Sequence, residues 1–140
     1  MEEKIQKLAA ALIFSDGEVS AVEIQYLEVM AEKLNLDKSN FKRIVEKEIQ
    51  ELIKMDNEEF HNYIKNATIG ITDFEFRKSI FNNLMELAII DGLLDDLETS
   101  ILGRISEHLE IPLHYFVNNM AYLVKENNVE VTSEFNLSDK

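Results

Sequence analysis

Four carboxylates stand at repeating positions in the chain: Asp16 and Glu23, then Asp91 and Glu98. Each pair sits in the same short pattern, Asp-Gly, two residues, Ser20 or Asp95, two residues, Glu. Gathered carboxylates do one of two kinds of chemistry. They hold a hard cation through oxygen, or they serve as acid and base toward a substrate. A tight helical hairpin brings each Asp and its Glu to one end of the pair. If the two hairpin ends meet, four anions repel strongly unless a cation neutralises them. Hard oxygen ligands select Ca²⁺, Mg²⁺ or Mn²⁺ ahead of Zn²⁺. The pattern is not an EF-hand, because the twelfth position counted from Asp16 is Leu27 and from Asp91 is Leu102, where that loop needs a bidentate Glu. A purely structural reading covers the same residues. Ser20 with Glu23 and Asp95 with Glu98 fit capping boxes, and an Asp before Gly suits a helix end. The spacing alone leaves both readings open.

The elements that must position these residues are helical. The chain holds only 4 Gly and 1 Pro in 140 residues, few turn signals for that length. Apolar residues recur at helical intervals, as in Ile5, Leu8, Ala9 and Leu12, or Ile101, Leu102, Ile105 and Leu109. The stripes predict seven helices in an all-α domain. Capping boxes are expected at Ser20–Glu23, Asp56–Glu59, Thr72–Glu75 and Asp95–Glu98. Asp16-Gly17 and Asp91-Gly92 are expected to end the first and fifth helices, and Pro112 to open the last one. Residues 127–140 are polar and predict a loose tail, with a short extended stretch from Val129 to Thr132.

An internal repeat organises the whole. At an offset of 75, Asp16-Gly17 meets Asp91-Gly92, Glu23 meets Glu98, Leu27 meets Leu102 and Leu34 meets Leu109. A period this long is not a solenoid unit. It predicts two related halves, about 1–54 and 72–126, facing each other across a pseudo-twofold axis. A connector helix spans about 56–68, and residues 1–126 form one domain.

At this pattern the chain resembles a family. Residues 11–36, ALIFSDGEVSAVEIQYLEVMAEKLNL, and 86–111, ELAIIDGLLDDLETSILGRISEHLEI, are similar to the two halves of the TerB-like domain of bacterial tellurite-resistance proteins. That domain also resembles the N-terminal module of a membrane-anchored DnaJ-type co-chaperone. The resemblance covers most of residues 1–126. It implies a compact all-α fold with internal duplication and a metal site of paired acidic residues: Asp16 and Glu23 in one half, Asp91 and Glu98 in the other. The halves differ after the Gly, where Glu18 faces Leu93 in the alignment, and Asp95 and Asp96 add acidity to the second half. Glu18 and Asp95 are therefore the auxiliary ligand candidates.

Charge and composition narrow the remaining classes. Lys and Arg total 14 against 27 Asp and Glu, a net charge of −13. Such a surface repels nucleic acid and anionic membrane. There is no Cys, so thiolate metal sites and Cys nucleophiles are excluded. His61, His108 and His114 form no helical ligand pair; His61 and His114 are expected at the core boundary, and His108 in a last helical turn. The aromatics fall on or near the apolar stripes and predict core, with Phe74 and Phe76 as candidates for an exposed patch. No nucleophile elbow or phosphate-binding Gly loop is present, so the chain is not expected to be an enzyme. No stretch approaches a membrane span, and the N-terminus lacks the pattern of a signal peptide. The expectation is a cytoplasmic, divalent-cation-binding domain in a stress-response context, acting through a protein partner. A metal-free interaction or scaffold module, whose acidic residues only cap helices, is the alternative.

Overall fold

The computed structural model describes residues 2–15 and 19–131. Among these, seven helices follow in order: α1 (Glu2–Phe14), α2 (Ala21–Lys33), α3 (Lys38–Leu52), α4 (Asn57–Thr68), α5 (Phe74–Ile89), α6 (Asp96–His108) and α7 (Leu113–Glu126). Two short strands, β1 (Leu93–Leu94) and β2 (Glu130–Val131), pair in parallel. The described residues are thus all-α apart from this one ladder.

The centre is built by α1 and α5. Ile5 and every residue from Leu8 to Ile13 are buried, so α1 is apolar on nearly all sides, the pattern of a helix enclosed by neighbours. It packs against α3, α4, α5 and α6, while α5 packs against α1, α2, α6 and α7. The arrangement follows the offset of 75. Both α2 and α6 have thirteen residues, and Asp96 stands 75 positions after Ala21. The starts of α3 and α7 share the same offset. The contact of α1 with α6 mirrors that of α5 with α2. The connector, α4, lies against α1 and α6.

Local chemistry sets the boundaries. Complete capping boxes open α2 at Ser20 and Glu23, α4 at Asp56 and Glu59, and α6 at Asp95 and Glu98. The box expected at Thr72 and Glu75 is replaced by a cap one residue later, where the Asp73 carboxylate accepts the Phe76 N–H at 3.0 Å. An ionised acceptor outcompetes a neutral hydroxyl at this position. Pro112 is the cap of α7 rather than its first helical residue. His61 and His114, expected at the core boundary, are exposed; His108 lies in the last turn of α6. Phe74 is exposed under the Lys78 ammonium, which lies 5.3 Å from its ring centre, whereas Phe76 packs against the core.

The exits of α2 and α6 are also twins. Asn35 and Glu110 both take φ of 60°, and the amides of Leu36 and Ile111 each reach back to a carbonyl at 2.8 Å, those of Ala31 and Ser106. This is a Schellman closure, whose left-handed residue is best supplied by Gly. Glu110 bears that conformation with a side chain, and in its ion pair with Arg77 the Glu110 side chain is 76% exposed, so the pair contributes little. Replacing Glu110 with Gly is therefore expected to raise stability by about 0.5–1 kcal/mol. A thermal melt checks this; a lower midpoint would show that the Arg77 contact outweighs the backbone strain.

Residues 127–131, the start of the polar stretch, are held against the body. Val129 is buried, its amide bonds to the Val124 carbonyl at 3.0 Å, and the Glu130 amide donates to the Gly92 carbonyl at 2.9 Å. The extended stretch expected from Val129 is thus β2, and its partner is the loop that follows α5. Thr132 lies outside the described residues.

Candidate functional site

The second-half pattern is fully described. Asp91 is exposed just past α5, and its Oδ1 accepts the Leu93 amide at 3.0 Å. Gly92 follows with φ of 85°, a left-handed turn that suits a residue without Cβ. Leu94 is completely buried and pairs with Val131, so the loop is pinned to β2. Asp95 then caps α6, accepting the Glu98 amide at 2.8 Å, while a Glu98 carboxylate oxygen accepts the Asp95 amide at 3.3 Å. In the first half, Ser20 and Glu23 make the same reciprocal bonds, with the Ser20 amide donating to Glu23 at 3.2 Å. Asp16 and Glu18 lie outside the described residues.

Two observations go beyond capping. A capping Glu ordinarily lies at the solvated rim of a helix. Glu23 and Glu98 are instead both buried, each with 4% of its surface exposed. Glu23 also acts electrostatically on Glu98, 75 residues away in the chain. The Glu98 carboxyl is pushed up to about 9, first by burial, then by the charge of Asp95, and further by the charges of Glu23 and Asp91; the hydrogen bond from the Asp95 amide opposes the rise. One carboxyl therefore feels anions from its own half and from the other. At neutral pH it takes a proton or requires a compensating positive charge.

The residue set fits a hard cation by donor chemistry: carboxyl oxygens, those of Glu23 and Glu98 buried, that of Asp95 half-buried and that of Asp91 exposed. Among the described residues, no three His, Asp or Glu side chains stand in a metal-holding arrangement. The structure thus brings Glu23, Asp91, Asp95 and Glu98 into one electrostatic neighbourhood without a finished ligand shell among them.

The family model of tellurite resistance protein TerB matches residues 3–121. The chain belongs to the TerB family. The match spans every helix of the body up to the last part of α7. No curated protein and no solved structure matches the chain significantly. In this TerB domain no described helix is long and apolar enough to cross a membrane.

Two features of this TerB site were not legible in the chain. Burial of the two Glu side chains depends on how α1 and α5 bring the hairpins together, and a capping pattern looks the same whether buried or exposed. The strand pair that holds the Asp91 loop was also missed, because two-residue strands carry too little periodicity to register. The extended stretch expected from Val129 anticipated β2, but its partner Leu93-Leu94 left no signal that the two would pair.

Proposed function

We propose that this TerB domain binds a divalent cation at the acidic centre formed by Glu23, Asp91 and Glu98, with Asp16 as the fourth carboxylate and Glu18 and Asp95 as auxiliary ligands. The observation that supports this reading is the burial of Glu23 and Glu98, one from each half, with the Glu98 carboxyl pushed up by burial first and then by the charges of Asp95, Glu23 and Asp91. A bound cation would supply the missing positive charge and tie the two hairpin ends together. Ca²⁺, Mg²⁺ and Mn²⁺ fit the oxygen donors better than Zn²⁺. The chain's own residues set the frame: the caps at Ser20 and Asp95 hold the carboxyls of Glu23 and Glu98 at the first turns of α2 and α6, and β2 fixes the Asp91 loop.

The domain is read as non-catalytic, cytoplasmic, and coupled to a protein partner in a stress response of the tellurite-resistance kind. Occupancy would alter how firmly the halves are held and so the surface shown to that partner. A metal-free scaffold is the second reading. It is favoured by the complete capping boxes, which already give Glu23 and Glu98 a structural task.

Glutamine separates the two, since it can keep the cap bond while removing the charge. The chelator-treated chain is melted with and without Ca²⁺, Mg²⁺, Mn²⁺ and Zn²⁺, beside the Glu23→Gln/Glu98→Gln variant. A cation at ~100 times its dissociation constant is expected to add about 2.7 kcal/mol to the native chain and nothing to the variant. Equal response of both proteins to every ion, or none in either, leaves the scaffold reading.

A further inference from the structure

Two clefts occupy equivalent places in the two halves. One is bordered by Ile89, Ile90, Asn127 and Tyr26, the other by Phe14, Ser15, Leu52 and Ile101. These match one for one at the offset of 75. Neither is lined by Glu23, Asp91 or Glu98.

The equivalent clefts have diverged. In the first, the Tyr26 hydroxyl donates to Glu86 Oε1 at 2.5 Å, and Lys33 Nζ donates to the same oxygen at 2.7 Å. Lys33 also stands 5.7 Å from the Tyr26 ring centre. Tyrosine, carboxylate and ammonium therefore satisfy one another. In the second, the counterpart of Tyr26 is Ile101 and that of Glu86 is Ala11, so no such network forms. The second cleft holds about 400 Å³ and the first about 300 Å³, both within the size range of small-molecule sites.

Its lining has two characters. Phe14 and Phe60, edge to face at 6.4 Å, join Leu52 and Met55 in an apolar floor. Above it stands Arg104, half-buried on α6 and without an ion-pair partner among the described residues. Its counterpart on α2 is Val29. His61 borders the same cleft. Ser15 Oγ is buried there with no hydrogen-bond partner among the described residues. Asp56 also lines the cleft, but one of its oxygens caps α4 by accepting the Glu59 amide at 2.8 Å.

A half-buried guanidinium in a chain of net charge −13 would ordinarily find a carboxylate of its own. Its planar fork suits a carboxylate bidentately. The floor beneath it suits hydrocarbon, whose burial is favourable in proportion to area. We propose that this cleft is a binding site for a small apolar monocarboxylate, its carboxylate on Arg104 and its hydrocarbon body against Phe14, Phe60 and Met55. The site is independent of the cation reading, since it shares no carboxylate with that centre.

Octanoate, octan-1-ol and octylamine share one hydrocarbon body and differ in head group. Each is titrated into the isotopically labelled full chain and followed by its NMR shifts. Octanoate is expected to bind at least about tenfold tighter than octan-1-ol, a difference of ~1.4 kcal/mol, and tighter still than octylamine. The moving resonances should be those of Ser15, Met55, Ile101 and Arg104. Arg104→Gln is expected to erase the preference for octanoate while the variant keeps the native thermal midpoint. Three results would overturn the proposal: no saturable binding of octanoate, equal binding of octan-1-ol, or an Arg104→Gln variant with undiminished preference. Shifts confined to the Tyr26 and Leu123 side would do so as well, by placing the ligand in the other cleft.

Discussion

In the absence of metal, Glu98→Gln is expected to make the protein more stable at neutral pH, and the gain should grow with pH. Burial and the charges of Asp95, Glu23 and Asp91 raise the Glu98 carboxyl from 4.5 to about 9 in the folded state. The folded chain therefore binds a proton that the unfolded chain releases above pH 4.5. The slope of stability with pH follows the difference in bound protons, so this residue's contribution is complete below about 4.5 and is lost as pH rises toward about 9. At about 1.4 kcal/mol per pH unit over that stretch, the penalty reaches roughly 3 kcal/mol by pH 7. Glutamine carries no charge at any of these values and can keep the cap on Asp95. Urea titrations at pH 5, 7 and 8.5 in chelator test this. The native chain should weaken steadily across the series and the variant should stay nearly level. Parallel curves would mean that Glu98 is ionised in the fold without cost. The same physics gives a sign for cation binding: a cation that replaces the proton should bind more tightly as pH rises and should release protons on binding.

Phe81→Ala is expected to cost about 3–5 kcal/mol, the usual range for emptying a buried aromatic site. Phe81 lies on α5, is fully buried, and meets Phe116 of α7 edge to face at 5.3 Å and 81°. That geometry suits the ring quadrupoles and adds ~0.5–1.5 kcal/mol beyond the area buried. A single domain has about 5–15 kcal/mol in total, so the variant should sit near the edge of folding. Phe74→Ala serves as the comparison, because Phe74 is 43% exposed and its loss should stay within about 0.5 kcal/mol. Urea midpoints of both variants, at unchanged slope, decide the matter. A loss below about 1 kcal/mol for Phe81→Ala would mean that α5 and α7 do not pack through these rings. Since α5 ends beside Asp91, a weakened α5–α7 contact should also loosen the second-half hairpin.

Most of the fold was legible because its signals are local. Helical stripes such as Leu8, Leu12 and Ile13 record which face is buried, and the Ser20–Glu23 and Asp95–Glu98 pairs record where helices begin. The repeat of Asp-Gly at an offset of 75 aligned α2 with α6, and it carried the resemblance to the TerB family. Errors fell where neighbouring residues compete for one task. Thr72 and Asp73 are adjacent candidates for the same cap, and the stronger acceptor takes it. His61 and His114 adjoin apolar stripes, but each is exposed.

By itself the sequence determined the class of structure, the number of helices and the capping boxes at Ser20, Asp56 and Asp95, because periodicity and capping act over a few residues. Only the tertiary structure decided what the acidic residues experience. Burial, and the charge of Glu23 acting on Glu98, arise from two segments 75 residues apart; that juxtaposition depends on how α1 and α5 cross, which no local pattern encodes. The same holds for the strand that pins Gly92 and for the two clefts. Identical spacing places them, while the side chains at 26 and 101, and at 11 and 86, decide that the polar groups of one bond to each other and that no such network forms in the other.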